Sequence, residues 1–412
     1  MTLLAAIAPG PDRSPQEPRT SAVEHTRLLV RQLGPGIKER AAAVEEACRV
    51  PDEHIAALRE AGYFKLVQPK LFGGAEQDFD VLVDANIELA KYCASTAWVS
   101  GLLAAHQWLV ASFPKQAQHD VWDENPNALV CGSYAPVAKA LRASGGYCLT
   151  GQWSYASGCD NAQWSVCAAL LPAAGEGRPT PAFLLVPARD YVIDNTWDVI
   201  GLAGTGSKTL VLDNVFVPEH RVLTFEATTS GKTPGAAVYA SNPTFSIPML
   251  CNIPSCLASV SVGAAQGALD DYIAMTSART TRGAVAGGSN RMAEFATIQL
   301  RVAEAAACVD AAREILLRDL RARARARREG REIEVEGRIL SRRGQAFATS
   351  LAIRATEALN ASTGGQGLAR VNPIQRAWRD ANAVGRHISM NWDAVGTMYG
   401  QMMLGLEPKG QY

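Results

Sequence analysis

A change of texture near residue 128 constrains the fold more than any other feature. From about Ala128 to Leu223 the chain is β-branched, aromatic and glycine-rich, with turn signals at Ser144-Gly145-Gly146 and Asp213-Asn214. Helical periodicity lies on both sides. The order is therefore helices, a mostly antiparallel β domain, then helices again, an α+β class of fold. The expected division is a tail over 1–20, an N-terminal helical domain over 21–125, a β domain over 126–225 and a C-terminal helical bundle over 226–412.

Punctuation supports this division. Thr20 or Ser21 can cap the first helix, and Pro51-Asp52 opens a second that stops at Gly62. Helical stretches follow over Asp78–Cys93 and Ser95–Phe113, and Pro114 starts another. Residues 226–245, containing Thr-Thr-Ser-Gly-Lys-Thr-Pro-Gly, read as a loop. The later helices are broken at Gly283–Ser289 and Ser362–Gly367.

Composition removes several classes of function. Lys+Arg and Asp+Glu are both 40, so no net field favours nucleic acid or an anionic membrane. No apolar segment is long enough to span a bilayer, and the first residues lack the basic region of a secretory signal. The nine cysteines are scattered and never spaced Cys-x-x-Cys, which fits buried thiols in a reducing cytoplasm and gives no metal site. The basic run Arg321–Arg331 has no interleaved aromatics and is followed by Glu332, Glu334 and Glu336, as on a solvated helix end.

Gly201-Leu-Ala-Gly-Thr-Gly-Ser-Lys-Thr209 imitates a phosphate loop. Ser207 stands where that loop needs glycine before lysine, and Leu210–Val217 reads as strand rather than helix. No glycine fingerprint opens a helix after a strand, so no dinucleotide site of that type is expected. Trp153-Ser-Tyr-Ala-Ser-Gly158 follows a turn and a strand. If extended, it puts Trp153, Tyr155 and Ser157 on one face, suited either to a planar ring or to a half-buried core. His106 falls on the apolar stripe of Trp98, Leu102, Leu109 and Phe113, and is either a core histidine or a residue facing a buried cavity. Gly364-Gly-Gln-Gly367 is a helix stop or a backbone nest. Residues 379–393 place His387 on a helical stretch, and no glutamate occurs from Asn360 to Gly405.

Together these segments resemble the acyl-CoA dehydrogenase superfamily from about residue 25 onward. The resemblance rests on Leu71-Phe-Gly-Gly74, Trp153–Gly158, Gly201–Ser207 followed by Val217-Pro-Glu, Gly364-Gly-Gln-Gly367 and Arg379-Asp-Ala381. It implies a helical domain, a central β domain and a C-terminal four-helix bundle, assembled as a homotetramer. Dehydrogenases of this kind abstract an α-proton with a glutamate, in many of them downstream of Arg-Asp-Ala. Here that place falls at about His387-Ile388, without a carboxylate.

Ser95–Ser100 with His106, Ser133-Tyr-Ala-Pro136, Trp153–Asp160, Gly201–Ser207, Ala377–Asp380 and His387–Asp393 instead resemble the oxygenase components of two-component flavin-dependent monooxygenases. The 4-hydroxyphenylacetate 3-hydroxylase and seco-steroid phenol hydroxylase types are the similar branches. This resemblance implies reduced flavin (FMNH2 or FADH2) delivered by a separate NAD(P)H-dependent reductase, and O2 as cosubstrate. It implies a C4a-hydroperoxide that hydroxylates a small phenolic substrate at the ortho carbon. Ser157 is then expected near flavin N5, His387 near the peroxide and His106 at the substrate hydroxyl. Flavin contacts are expected from Ser133, Tyr134, Trp153, Ser157, Gly158, Thr205, Gly206 and Ser207, with Gly364, Gly365 and Gln366 at the adenosine part if FAD is used. Arg282 and Arg291 are the candidates for its phosphates, and Trp108, Tyr155, Met390 and Trp392 are the candidate pocket lining. An N- or S-oxygenating relative, an acyl-CoA dehydrogenase with a displaced base and a non-catalytic flavin-binding scaffold are the competing readings.

Overall fold

The computed structural model describes residues 17–173, 177–281 and 290–412. Six helices come first: α1 (Glu17–Glu39), α2 (Ala41–Ala47), α3 (Asp52–Glu60), α4 (Phe79–Ala90), α5 (Ala94–Val110) and α6 (Lys115–Trp122). Asp52 and Glu53 in the first turn of α3 favour its positive N-terminal end, and Gly62 just beyond it sits at φ +74°, which a residue with a Cβ resists. The Cys93 sulfur accepts the Thr96 N–H at the start of α5. All of α5 except Leu102 is buried, so this helix is core on nearly every side.

The β domain holds β1 (Val130–Lys139), β2 (Leu141–Ala143), β3 (Gly146–Ala156), β4 (Trp164–Leu171), β5 (Thr180–Pro187), β6 (Val192–Asp194), β7 (Lys208–Pro218) and β8 (Val222–Thr224). Two four-stranded sheets form, ordered β1-β4-β5-β8 and β2-β3-β7-β6. Every pair is antiparallel except β1 with β4. The apolar run Val166–Ala169 at the centre of the first sheet is wholly buried, as expected for a strand covered on both faces.

Then come α7 (Phe225–Ser230), α8 (Pro234–Val238), α9 (Met249–Ser277), α10 (Ala296–Arg328), α11 (Val335–Ala361), α12 (Pro373–Arg386) and α13 (Trp392–Met403). Helices α9 to α12 pack together as the bundle, with α9 also lying against α4 and α5. Asn372 caps α12 by accepting the Ile374 N–H, and Pro373 fills its first turn.

Four expectations change. Helix α1 begins at Glu17, inside the tail expected over 1–20, because a helix can run on past a capping signal; residues 1–16 lie outside the description. The segment expected as a loop over 226–245 contains α7 and α8, each started by a threonine that caps it, Thr224 and Thr233. The stretch Trp153–Ser157 does not share one face. The pairing of β3 with β7 shifts between Trp153 and Ala156, and Tyr155 stands at φ +65°, so Trp153 is buried while Tyr155 is 73% exposed. His387 terminates α12 instead of lying within a helix: its φ and ψ are extended, and a short 3-10 turn, Ile388–Met390, follows.

The break expected at Gly283–Ser289 lies outside the described residues. The break at Ser362–Gly367 contains a 3-10 turn, Gly364–Leu368. The basic run ends α10 and reaches back to α4: Arg321 Nε lies 3.0 Å from Asp80 Oδ2, and Arg328 Nη2 lies 2.6 Å from Asp78 Oδ2.

Candidate active site

A cluster of hydroxyls sits where α5, the end of β3 and the Gly201–Ser207 turn converge. Trp98 Nε1 donates to Ser157 Oγ at 2.9 Å. Ser157 Oγ is 2.7 Å from Ser207 Oγ, which is 2.7 Å from Thr205 Oγ1. Three hydroxyl protons serve two oxygen–oxygen links, so one proton remains for a ligand. Backbone geometry makes the cluster possible. Gly158 and Gly206 hold φ of +74° and +52°, and a Cβ at Gly158 would fall 2.9 Å from Val99. Leu202, also at positive φ, gives its N–H to Asp380 Oδ1 at 2.7 Å, which ties the turn to α12. Burial raises the Asp380 carboxyl to about 6, against the lowering effect of that hydrogen bond. Beside it, Glu45 pairs with Arg376 at 2.9 Å and also with Arg379.

His387 meets the edge of Trp98, with ring centroids 5.9 Å apart. Its Nδ1 accepts the Ser389 N–H at 3.1 Å, so the ring proton belongs on Nε2. Burial, then the positive charge of Arg342, lowers this imidazole to about 4. At neutral pH it is an uncharged donor through Nε2.

His106 lies two turns further along α5, about 12 Å from Trp98 along the helix axis. It is 2% exposed, and its Nδ1 is 2.6 Å from the Val130 carbonyl oxygen. A carbonyl only accepts, so Nδ1 carries the proton and Nε2 presents a lone pair. Burial lowers the ring to about 4, with the Val130 bond opposing. The Tyr134 ring tilts over it at 5.6 Å, and Phe183 and Phe225 continue the aromatic wall at 5.0 and 4.4 Å. A Cβ on Gly132 would stand 3.2 Å from Tyr134 Cε1 and 3.4 Å from His106 Cε1, so glycine keeps the space beside the histidine open.

The structure thus gathers Ser157, Gly158, Thr205, Gly206, Ser207 and His387 in one place, and His106 with Tyr134 in another on the same helix. Other candidates sit elsewhere. Ser133 Oγ is spent on the Ser154 carbonyl at 2.8 Å, and Trp153 Nε1 on the Ala168 carbonyl at 2.7 Å. Trp108 is core: it donates to the Thr244 carbonyl at 3.1 Å and packs edge-on against Phe79. Met390 is buried, its sulfur 3.3 Å from Thr349 Oγ1. Trp392 is 40% exposed and leans on Phe347 of α11. Tyr155 faces outward with its ring against Trp197 at 6.1 Å. Among the described residues these four form no single pocket: Trp108 on α5 is held in the core, and the register shift in β3 turns Tyr155 outward. Gly364, Gly365 and Gln366 lie in an exposed turn tied by Arg279 to the Thr363 carbonyl. Arg291 lies 3.4 Å from Glu294, and Arg282 is outside the described residues.

Sequence reasoning missed Gly132 and Asp380 as site-shaping residues. Asp380 stood in a noted motif, but only its bond to Leu202 gives it a task. The hydroxyl set and the exposed Tyr155 ring fit a flavin, whose ring edge both donates and accepts and whose faces are flat.

Comparison with known proteins agrees with this fold. Residues 27–122 match the acyl-CoA dehydrogenase N-terminal domain, and residues 255–392 the acyl-CoA dehydrogenase C-terminal domain. The chain is 64% identical to the FADH(2)-dependent resorcinol hydroxylase, oxygenase component, of Rhizobium sp. (strain MTP-10005), over 97% of this chain and 98% of that protein. The crystal structure of 3-HSA hydroxylase from Rhodococcus sp. RHA1 superposes with a TM-score of 0.88 at 34% identity, covering 94% of this chain and 98% of that one. XiaF from Streptomyces sp., solved in complex with FADH2 and glycerol, gives a TM-score of 0.85 at 29% identity, covering 95% and 98%. The chain belongs to the acyl-CoA dehydrogenase family, and within it to the oxygenase components of two-component flavin-dependent monooxygenases. It is an enzyme that hydroxylates an aromatic substrate with O2 and reduced flavin supplied by a separate reductase. Among the described residues, no helix is long and apolar enough to cross a membrane.

Proposed function

We propose that the enzyme hydroxylates resorcinol or a close 1,3-dihydroxybenzene, using FADH2. The observation that carries this reading is the tautomer of His106 set by the Val130 carbonyl, which leaves Nε2 as a lone-pair acceptor on a ring packed against Tyr134. The 64% identity to a resorcinol hydroxylase component supports the substrate, and the FADH2 named for that protein and bound in XiaF supports the cofactor.

The reduced flavin, when bound, supplies the activated oxygen. The chain's own residues do the rest. His106 Nε2 accepts the hydrogen of one ring hydroxyl. With its own proton affinity near 4 and phenols near ~10, the imidazole does not remove that proton outright in the ground state. It draws the hydroxyl hydrogen and so enriches the ortho carbon in electron density. In resorcinol the carbon ortho to one hydroxyl and para to the other is activated twice, so the expected product is 1,2,4-trihydroxybenzene. Ser157, through the spare proton of the hydroxyl cluster, orients the flavin edge with Thr205, Gly206 and Ser207. His387 donates through Nε2 near the reacting oxygen, while Tyr134, Phe183 and Phe225 keep water out.

The exposed Phe347–Trp392 pair on the outer side of the bundle supports assembly as a homotetramer through α11 and α13. The nine free thiols suit a reducing cytoplasm. Supplying the protein with FADH2, oxygen and resorcinol tests the reading: the mass of the product should rise by one oxygen, and no such product overturns it.

A further inference from the structure

We infer that Asn252 on α9, together with the Tyr134 hydroxyl, forms a polar subsite that holds the second ring hydroxyl and sets selectivity for dihydric over monohydric phenols. This rests on the reading of the substrate as a 1,3-dihydroxybenzene.

Three observations converge. Asn252 is 1% exposed, and both ends of its amide, Nδ2 and Oδ1, lack a partner. Among the described residues it is the one side chain with two buried polar atoms that both lack a partner. The Tyr134 hydroxyl is likewise buried without a partner, at the far end of the ring that covers His106. Helix α9 packs against α5, which carries His106 beside the Tyr134 ring. Cys256 lies one turn after Asn252 on the same face of α9. Ser259, on the same stripe, meets Asn86 of α4 at 2.8 Å, and Asn86 lies against Gly101 of α5, so this face of α9 is turned towards the helix that carries His106.

Buried amides are almost always satisfied, because each unmet group costs about 1–3 kcal/mol. Neighbouring polar groups on α9 obey the rule: Ser255 meets Gln345 at 3.1 Å, and Ser259 meets Asn86 at 2.8 Å. Asn252 departs from it on a helix that packs against α5, where His106 is assigned to the first hydroxyl. A second hydroxyl, which donates and accepts at once, satisfies the amide at both ends. A monohydric phenol leaves it unmet, so the same residue that binds resorcinol selects against phenol.

The test compares kcat/KM for resorcinol and for phenol in the wild-type oxygenase with FADH2 and O2, then in Asn252→Leu. The substitution should reduce the resorcinol-to-phenol ratio about tenfold, the effect of one neutral hydrogen bond. If both substrates decline together and the ratio holds, Asn252 serves an internal water or the packing of α9, and the inference is overturned. Asn252→Ala, which also removes the amide, gives the same reduced ratio should the leucine variant fail to fold. A wild-type enzyme that oxygenates neither compound overturns the substrate reading itself, an outcome distinct from an unmoved ratio.

Discussion

Trp98 and Ser157 lie 59 positions apart in sequence and are joined by a 2.9 Å hydrogen bond from indole Nε1 to hydroxyl Oγ. That bond fastens the central helix α5 to the end of β3. It also fixes Ser157 as an acceptor towards the indole, so that its own proton goes to Ser207 or to a ligand. The two halves of the site, the hydroxyl cluster and His106, thereby share one rigid element.

Ser157→Ala is expected to act on both stability and coupling. It strands the Trp98 N–H and leaves Ser207 with one partner, at a cost of about 1–3 kcal/mol for the buried donor. Thermal unfolding should fall by several degrees. The fraction of O2 released as H2O2 should rise as the flavin loses its orienting hydroxyl, read by peroxide assay against product yield.

His106→Ala should separate oxygen consumption from hydroxylation. Nothing in the hydroxyl cluster touches His106, so reduced flavin should still consume O2 at a rate near that of the wild type. Product should fall by at least about tenfold to a hundredfold, within the range of a lost proton-handling group, and the missing oxygen should appear as H2O2. Undiminished product would remove His106 from the role assigned to it.

Acid should destabilise the protein through its buried histidines. His106 and His387 titrate near 4 when folded and near ~6.5 when unfolded. Between those values the unfolded chain binds more protons, so stability declines as pH falls through that window, by up to about 1.4 kcal/mol per pH unit for His106. Asp380 opposes this, because its folded value near 6 lies above the unfolded one and the folded state holds the extra proton. Asp380→Asn keeps an oxygen for the Leu202 N–H and removes the opposing titration. Chemical denaturation at pH 5 and 7 should therefore show a larger difference for Asp380→Asn than for the wild type.

Tyr155→Gly is expected to raise or preserve thermal stability while weakening flavin binding. A tyrosine at φ +65° carries backbone strain of about 1–3 kcal/mol. Its exposed ring meets Trp197 edge-on. Unfolding temperature and the affinity for reduced flavin, measured together, check the split; unchanged flavin affinity would take Tyr155 out of the site.

Local chemistry made much of the fold legible. The β-branched stretch from Ala128, the Pro51-Asp52 start and the glycine at 62 each signal their element within a few residues, and each appears where expected. Ser157, Thr205 and Ser207 were singled out through the family resemblance of their segments, and the structure brings their three hydroxyls together. What the sequence hid depends on distant partners. Tyr155 turned outward because the β3–β7 register slips beside it, and no neighbour in sequence announces that slip. Trp108 and Trp392 look alike as aromatics on helices, yet one is held by the Thr244 carbonyl and the other lies at the surface beside Phe347. The role of Asp380 appears only when Leu202, 178 positions away, offers it an N–H.

The central claim is tested most directly by single turnover. FAD is reduced anaerobically, bound to the oxygenase with resorcinol present, and mixed with 18O2. The account predicts 1,2,4-trihydroxybenzene carrying one 18O atom, formed without the reductase and with little H2O2. Complete conversion of the oxygen to H2O2 with resorcinol recovered unchanged would contradict it.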